Sequence, residues 1–179
     1  MNLTNYKVTP VHIAFEECCK SADRRGMRVT GSELVGLVPL HVMLEAGRYF
    51  LKKQQRSAGV SEEELIKIAV KSMGLDELAP FDPQRKIIEY NIAQDDPAAT
   101  KKLVRKDLRA FANEAASESV APGGGSISAY VGALGVSLAT MVANLSSHKR
   151  GWDERWAEFS EAAERGQRFG ATHVPGVLD

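Results

Sequence analysis

The stretch APGGGSISAYVGALGVSLATMVANL, Ala121 to Leu145, sets Gly123, Gly124 and Gly125 ahead of a run that carries no charge. From Ile127 onward that run has the length of a membrane span, since about twenty residues cross the hydrocarbon core. Its composition points elsewhere. Ser128, Ser137, Thr140 and Asn144 are polar, and many of the other positions are Ala or Gly rather than Leu, Ile or Phe, so insertion into lipid would gain little. Gly135, Ala139 and Ala143 fall four apart as a smooth stripe, beside a bulkier one of Val131, Leu134, Leu138 and Val142. Small residues let a second helix approach closely, so the expectation is a buried helix of a bundle and no membrane.

The glycines sit where that helix begins. Unshielded N–H groups and the positive end of the helix dipole would converge there, which suits an anion or a flat ring. A Walker A loop is excluded because no Gly-Lys-Ser/Thr follows, and a dinucleotide fingerprint because the spaced glycines and preceding strand are missing. The plainer alternative is a flexible connection that tolerates close packing.

Outward from this stretch, the C-terminal part reads as helical. Leu108, Phe111, Ala112 and Ala115 share one face of KKLVRKDLRAFANEAASES; Trp152, Trp156, Phe159 and Ala163 do the same in WDERWAEFSEAAERGQRF. The final GQRFGATHVPGVLD is expected to leave that pattern after about residue 165. AQDDPAAT has no periodicity and reads as a linker over 93–100.

The N-terminal part reads differently. MNLTNYKVTP, MRVTGSELVGLVP and FDPQRKIIEYNI are each expected to contain a strand, alternating with helices in VHIAFEECCKSADRRG, PLHVMLEAGRYFLKKQQ and SEEELIKIAVKSMG. The last of these helices is signalled by Ser61 and Glu64 as a capping box, three acids in the first turn and Gly74 at the end. The expected architecture is therefore an α+β half-domain with a mixed sheet over residues 1–92, followed by an all-helical bundle segment.

Composition narrows the function classes. The 179 residues have a formal net charge of zero and a sequence pI near 6.9, which gives no overall attraction to nucleic acid or anionic membrane. Cys18 and Cys19 are adjacent on a predicted helix, where side chains diverge and cannot pair, so a reducing, cytoplasmic setting is expected. The N-terminus lacks a basic region followed by an apolar core, so no targeting signal is read. His12, His41 and His173 are solitary, and no metal site is expected. His148, Lys149 and Arg150 suit the negative end of the long helix.

Three motifs taken together go further. VTGSELVGLVPLHVMLEAGRYF, GLDELAPFDPQRKIIEY and APGGGSISAYVGALGVSLATMVANL, in this order and separation, resemble the formiminotransferase-cyclodeaminase family of folate enzymes in histidine breakdown, over about residues 1–165. The resemblance implies a transferase C-terminal subdomain up to about residue 92 and the start of a helical cyclodeaminase domain from about 101. It implies formimino transfer from formiminoglutamate to tetrahydrofolate, then ring closure to 5,10-methenyltetrahydrofolate with release of ammonia. By the same resemblance, Gly31, Ser32 and Glu33 would line the transferase cleft, and Gly123, Gly124, Gly125 and Ser126 would lie by the cyclodeaminase site, both sets facing folate.

The family's catalytic histidine and aspartate are expected outside this chain, and neither His12 nor His41 takes the histidine's place. The resemblance thus leaves open a non-catalytic folate-binding or oligomerisation module. A homo-oligomer is expected, because a half-domain leaves apolar surface to cover.

Overall fold

The computed structural model describes residues 2–93 and 103–178, with side chains up to residue 170. The linker expected over 93–100 lies, beyond Ala93, outside the described residues. The chain divides into two compact units, Met1–Asp95 and Asp96–Asp179.

The first unit is helical, which corrects the expected mixed sheet. Its elements are α1 (Val11–Asp23), α2 (Leu40–Lys53), α3 (Glu62–Met73), α4 (Pro83–Lys86) and α5 (Ile88–Ala93). Among the described residues no strand occurs. A single parallel bridge joins Val38 to Ile87, with Val38 N–H donating to the Lys86 carbonyl at 2.9 Å and Ile88 N–H to Val38 at 3.0 Å.

Each expected strand is lost to a local competitor. In the first segment, Asn5 turns the chain: its side chain accepts from Lys7 N–H at 3.1 Å, and its carbonyl accepts from Val8 and Thr9. In 27–38, Ser32 N–H donates to Gly74 at a helix end and Gly36 takes φ +87°, so β-branched residues have no ladder to join. In 81–92, Asp82 caps a helical turn by accepting from Gln84 N–H at 2.9 Å, with Pro83 at the first helical position.

The core lies between α2 and α3. Val42, Met43, Ala46 and Phe50 of α2 pack with Ile66, Ala69, Val70 and Met73 of α3, joined by Val38 and Ile87. Gly47 is buried at the helix crossing, where a Cβ would run into the backbone carbonyl of Leu65. The α3 boundaries follow from its caps. Ser61 Oγ accepts from Glu64 N–H at 3.3 Å, and Gly74 takes the left-handed conformation at φ 58°. Gly74 N–H then donates to Lys71 and Leu75 N–H to Val70, the bond pair of a Schellman ending. The first turn of α2 is capped from a distance, with Leu40 N–H donating to Glu89 Oε2 at 2.7 Å.

The second unit contains α6 (Leu108–Ala115), α7 (Gly124–Ser146) and α8 (Trp156–Leu178). Helix α8 runs past residue 165, where the sequence pattern was expected to stop. Helices α7 and α8 form a hairpin. The expectation of a buried α7 is met only along one narrow line: Ala133, Thr140 and Ala143 are buried, with Val136 half-buried and Ser147 closing the row. That 3-4-3-4 spacing is the seam of two closely packed helices. Thr140 meets Gly166 there, and a Cβ on Gly166 would collide with the threonine hydroxyl. The stripe expected to pack closely, Gly135 and Ala139, is exposed; so are Val131, Leu134, Leu138 and Val142. By length and composition α7 is long and apolar enough to cross a membrane.

Candidate functional site

The two sets of predicted site residues lie in different units. Gly31, Ser32 and Glu33 line a cavity of about 580 Å³ in the first unit. Its walls come from the N-terminal turn (Leu3, Tyr6), from α1 (Val11, Phe15, Cys18) and from the irregular segment carrying Val29 and Leu34. The volume falls within the usual range for small-molecule pockets, and the lining is mainly apolar with few polar groups, as such pockets generally are.

The local sequence explains how the turn is held. A Cβ on Gly31 would come within 2.7 Å of both the Gly74 carbonyl and Glu77 Cγ, so only glycine lets the segment cross the end of α3 so closely. Ser32 fixes the crossing twice: its N–H donates to Gly74 at 3.1 Å and its hydroxyl donates to the Met73 carbonyl at 2.8 Å. Met73 carries one of the last carbonyls of α3, which have no partner within the helix. The serine proton is thereby committed to the fold, and what Ser32 offers the cavity is acceptor capacity. Glu33 is exposed. Lys86 Nζ donates to the Leu34 carbonyl at 3.0 Å, fixing the far side of the segment.

Gly123, Gly124, Gly125 and Ser126 open α7 as expected. Gly123 is the N-cap residue and has no side-chain cap. Ile127 N–H donates to Gly123 at 3.1 Å, which leaves the N–H groups of Gly124 and Gly125 without intrahelical acceptors. All three glycines are exposed, and a Cβ added at any of them would meet nothing within 4 Å. Internal packing therefore does not require them, in contrast to Gly31 and Gly47.

The α1 and N-terminal walls of the cavity escaped sequence reading, because a segment expected to be a strand supplies no pocket wall by itself. Cys18 is exposed. A second concavity of about 470 Å³ lies along α3, lined by Ile66, Val70, Phe81 and Tyr90 with Lys67 and Lys71. There Tyr90 donates to Glu62 at 2.5 Å, and burial, with the Glu62 carboxylate beside it, holds the phenol well above its ordinary pKa. Among the described residues no group of three or more His, Cys, Asp or Glu could hold a metal ion.

Comparison with known proteins assigns the two parts. The family model described as formiminotransferase domain matches residues 1–93, and that described as formiminotransferase-cyclodeaminase matches residues 107–177. The chain is 41% identical over 152 residues to the formimidoyltransferase-cyclodeaminases of Rattus norvegicus and Mus musculus, covering 85% of this chain and 28% of each relative. It is 42% identical over 52 residues to the glutamate formimidoyltransferase of Thermoplasma acidophilum, covering 29% of this chain and 17% of that protein. The chain thus spans just over a quarter of the length of these formimidoyltransferase-cyclodeaminases. With one model covering its first unit and the other most of its second, the chain belongs to the formiminotransferase-cyclodeaminase family.

Proposed function

We propose that the chain supplies folate-contacting surfaces to a folate-dependent one-carbon enzyme. In that reaction sequence a formimino group passes from formiminoglutamate to tetrahydrofolate, and the product cyclises to 5,10-methenyltetrahydrofolate as ammonia leaves. The observation that carries this reading is the cavity in the first unit. Within the segment matched by the formiminotransferase model, Gly31, Ser32 and Glu33 line an apolar hollow of small-molecule size. A flat pterin fits beside Tyr6 and Phe15, while the Glu33 carboxylate and the Ser32 oxygen suit its N–H edge. In the second unit, taken by itself, the N–H groups of Gly124 and Gly125 at the start of α7 suit a carboxylate of a separately bound folate.

Gly124→Val separates function from folding, because its side chain enters open space. It is expected to weaken tetrahydrofolate binding about tenfold in a calorimetric titration of the full chain, the equivalent of about one charge-assisted hydrogen bond. Unchanged affinity, with the helix intact by circular dichroism, removes the turn from the site.

The same reading assigns the uncovered face of α7 to contact with another copy of the chain. Val131, Leu138, Val142 and Leu145 are 58–68% exposed along that helix, an apolar strip of the kind that marks association surfaces. Sedimentation of the purified chain is expected to show a species at a multiple of 19.5 kDa. A monomer at tens of micromolar overturns the assignment.

A further inference from the structure

Helix α1 forms one wall of the cavity through Val11, Ala14, Phe15 and Cys18, and it packs on α2. At that contact stands a histidine in an unusual position. His12 is only 7% exposed, and its Nδ1 is a buried polar atom with no hydrogen-bond partner. Its ring lies against Tyr49 of α2, with centroids 4.5 Å apart and planes 32° from parallel. A buried polar atom left without a partner costs free energy, and a charge placed there costs more.

We propose that His12 is a pH-sensitive latch: protonation of its buried ring loosens α1 from α2 and opens that wall of the cavity. A ring packed at a tilt against Tyr49, with its Nδ1 unpartnered, suits neutral imidazole. A protonated ring brings a charge into that contact and makes Nδ1 a donor, with no hydrogen-bond partner there to accept from it.

The charged neighbours do not offset this. On α1, Glu16 favours the charged ring, but its carboxylate is held by Lys53 Nζ of α2 at 2.6 and 2.7 Å. Lys20, also on α1, is paired with Glu17. On α2, Glu45 favours the charged ring and the Tyr49 ring packs against it at a tilt. Burial outweighs both carboxylates and lowers the His12 pKa below 6.5. The sign follows. A base whose pKa is depressed in the docked state leaves docking strength constant above about pH 6.5. As pH falls further, the undocked state takes up the proton first, and docking weakens until the docked pKa is also passed.

Hydrogen exchange on the full chain, corrected for the intrinsic pH dependence of exchange, tests this at pH 7.5, 6.0 and 5.0. Between the extremes, protection of α1 amides is expected to fall about three- to tenfold more than that of α3 amides. In His12→Phe, which keeps a ring against Tyr49, that extra fall disappears. In Glu45→Gln, which removes a carboxylate favouring the charged ring, it deepens. Parallel behaviour of α1 and α3 in the unmodified chain overturns the proposal, as does a His12→Phe protein that keeps the original profile. Should His12→Phe fail to dock α1, a Glu45→Gln profile identical to that of the unmodified chain overturns it equally.

Discussion

Gly47→Val is expected to destabilise the first unit by about 3 kcal/mol, near the upper end for a side chain forced into a filled interior. The reason is specific to this crossing. Helices α2 and α3 approach so closely at Gly47 that a Cβ would fall on the carbonyl of Leu65, and a backbone atom cannot rotate aside as a side-chain tip can. To admit valine the helices would have to separate, and Met43, Ala46, Phe50, Ile66 and Ala69 would lose contact together. Hydrogen exchange reads the outcome directly: protection of α2 and α3 amides should drop about a hundredfold. Protection within a factor of three of the original would mean that the crossing has slack the geometry does not show.

Gly31→Val is expected to cost about 2 kcal/mol and to abolish the cavity wall as well. A Cβ there meets the Gly74 carbonyl and the Glu77 side chain. Glu77 is able to move; the carbonyl is fixed by the left-handed ending of α3. Moving Gly31 outward would pull Ser32 away from both of its acceptors, leaving the Met73 carbonyl without its hydroxyl donor and the Gly74 carbonyl with only the longer bond from Glu77 N–H at 3.4 Å. Stability and tetrahydrofolate affinity are therefore expected to fall together in Gly31→Val, whereas only affinity falls in Gly124→Val. Chemical denaturation followed by circular dichroism, paired with the folate titration, distinguishes the two patterns. A Gly31→Val protein of normal stability would contradict the close crossing.

The contrast between these glycines bears on what the sequence could reveal. GGG before a smooth helix is visible in the sequence, and so is its place at a helix start. GS within VTGSELVGLVP is equally visible, but its closeness to Gly74 depends on a contact between residues more than forty positions apart. Local signals suffice where one short segment settles them: Ser61 and Gly74 delimit α3 as expected. Strands cannot be settled in this way, because a ladder needs a second chain segment to pair with. Val29, Leu34, Val35 and Val38 have strand composition, yet only Val38 finds a partner among the described residues.

A similar limit affected α7. Its uncharged sequence gives no polar face to fix its orientation, so Gly135–Ala139–Ala143 reads as the packed line on side-chain size alone, whereas the buried line runs through Ala133, Thr140 and Ala143. Thr140 fits that line by donating its hydroxyl to the Val136 carbonyl at 2.8 Å, which lets a polar residue enter the seam. Of the candidate site, the two glycine turns were legible through the motifs that carry the family resemblance. The wall formed by Tyr6, Phe15 and Cys18 was not, because it arises from a turn at Asn5 and from how α1 docks.

The most direct test of folate contact at both turns is chemical-shift mapping of the isotopically labelled chain during titration with tetrahydrofolate. The expected result is saturable shifts of the backbone amides of Gly31, Ser32 and Glu33 and of Gly123, Gly124, Gly125 and Ser126, larger than those along the exposed face of α7. Saturating folate that leaves both turns unshifted, or moves only amides elsewhere, would contradict the assignment of either turn to a folate site.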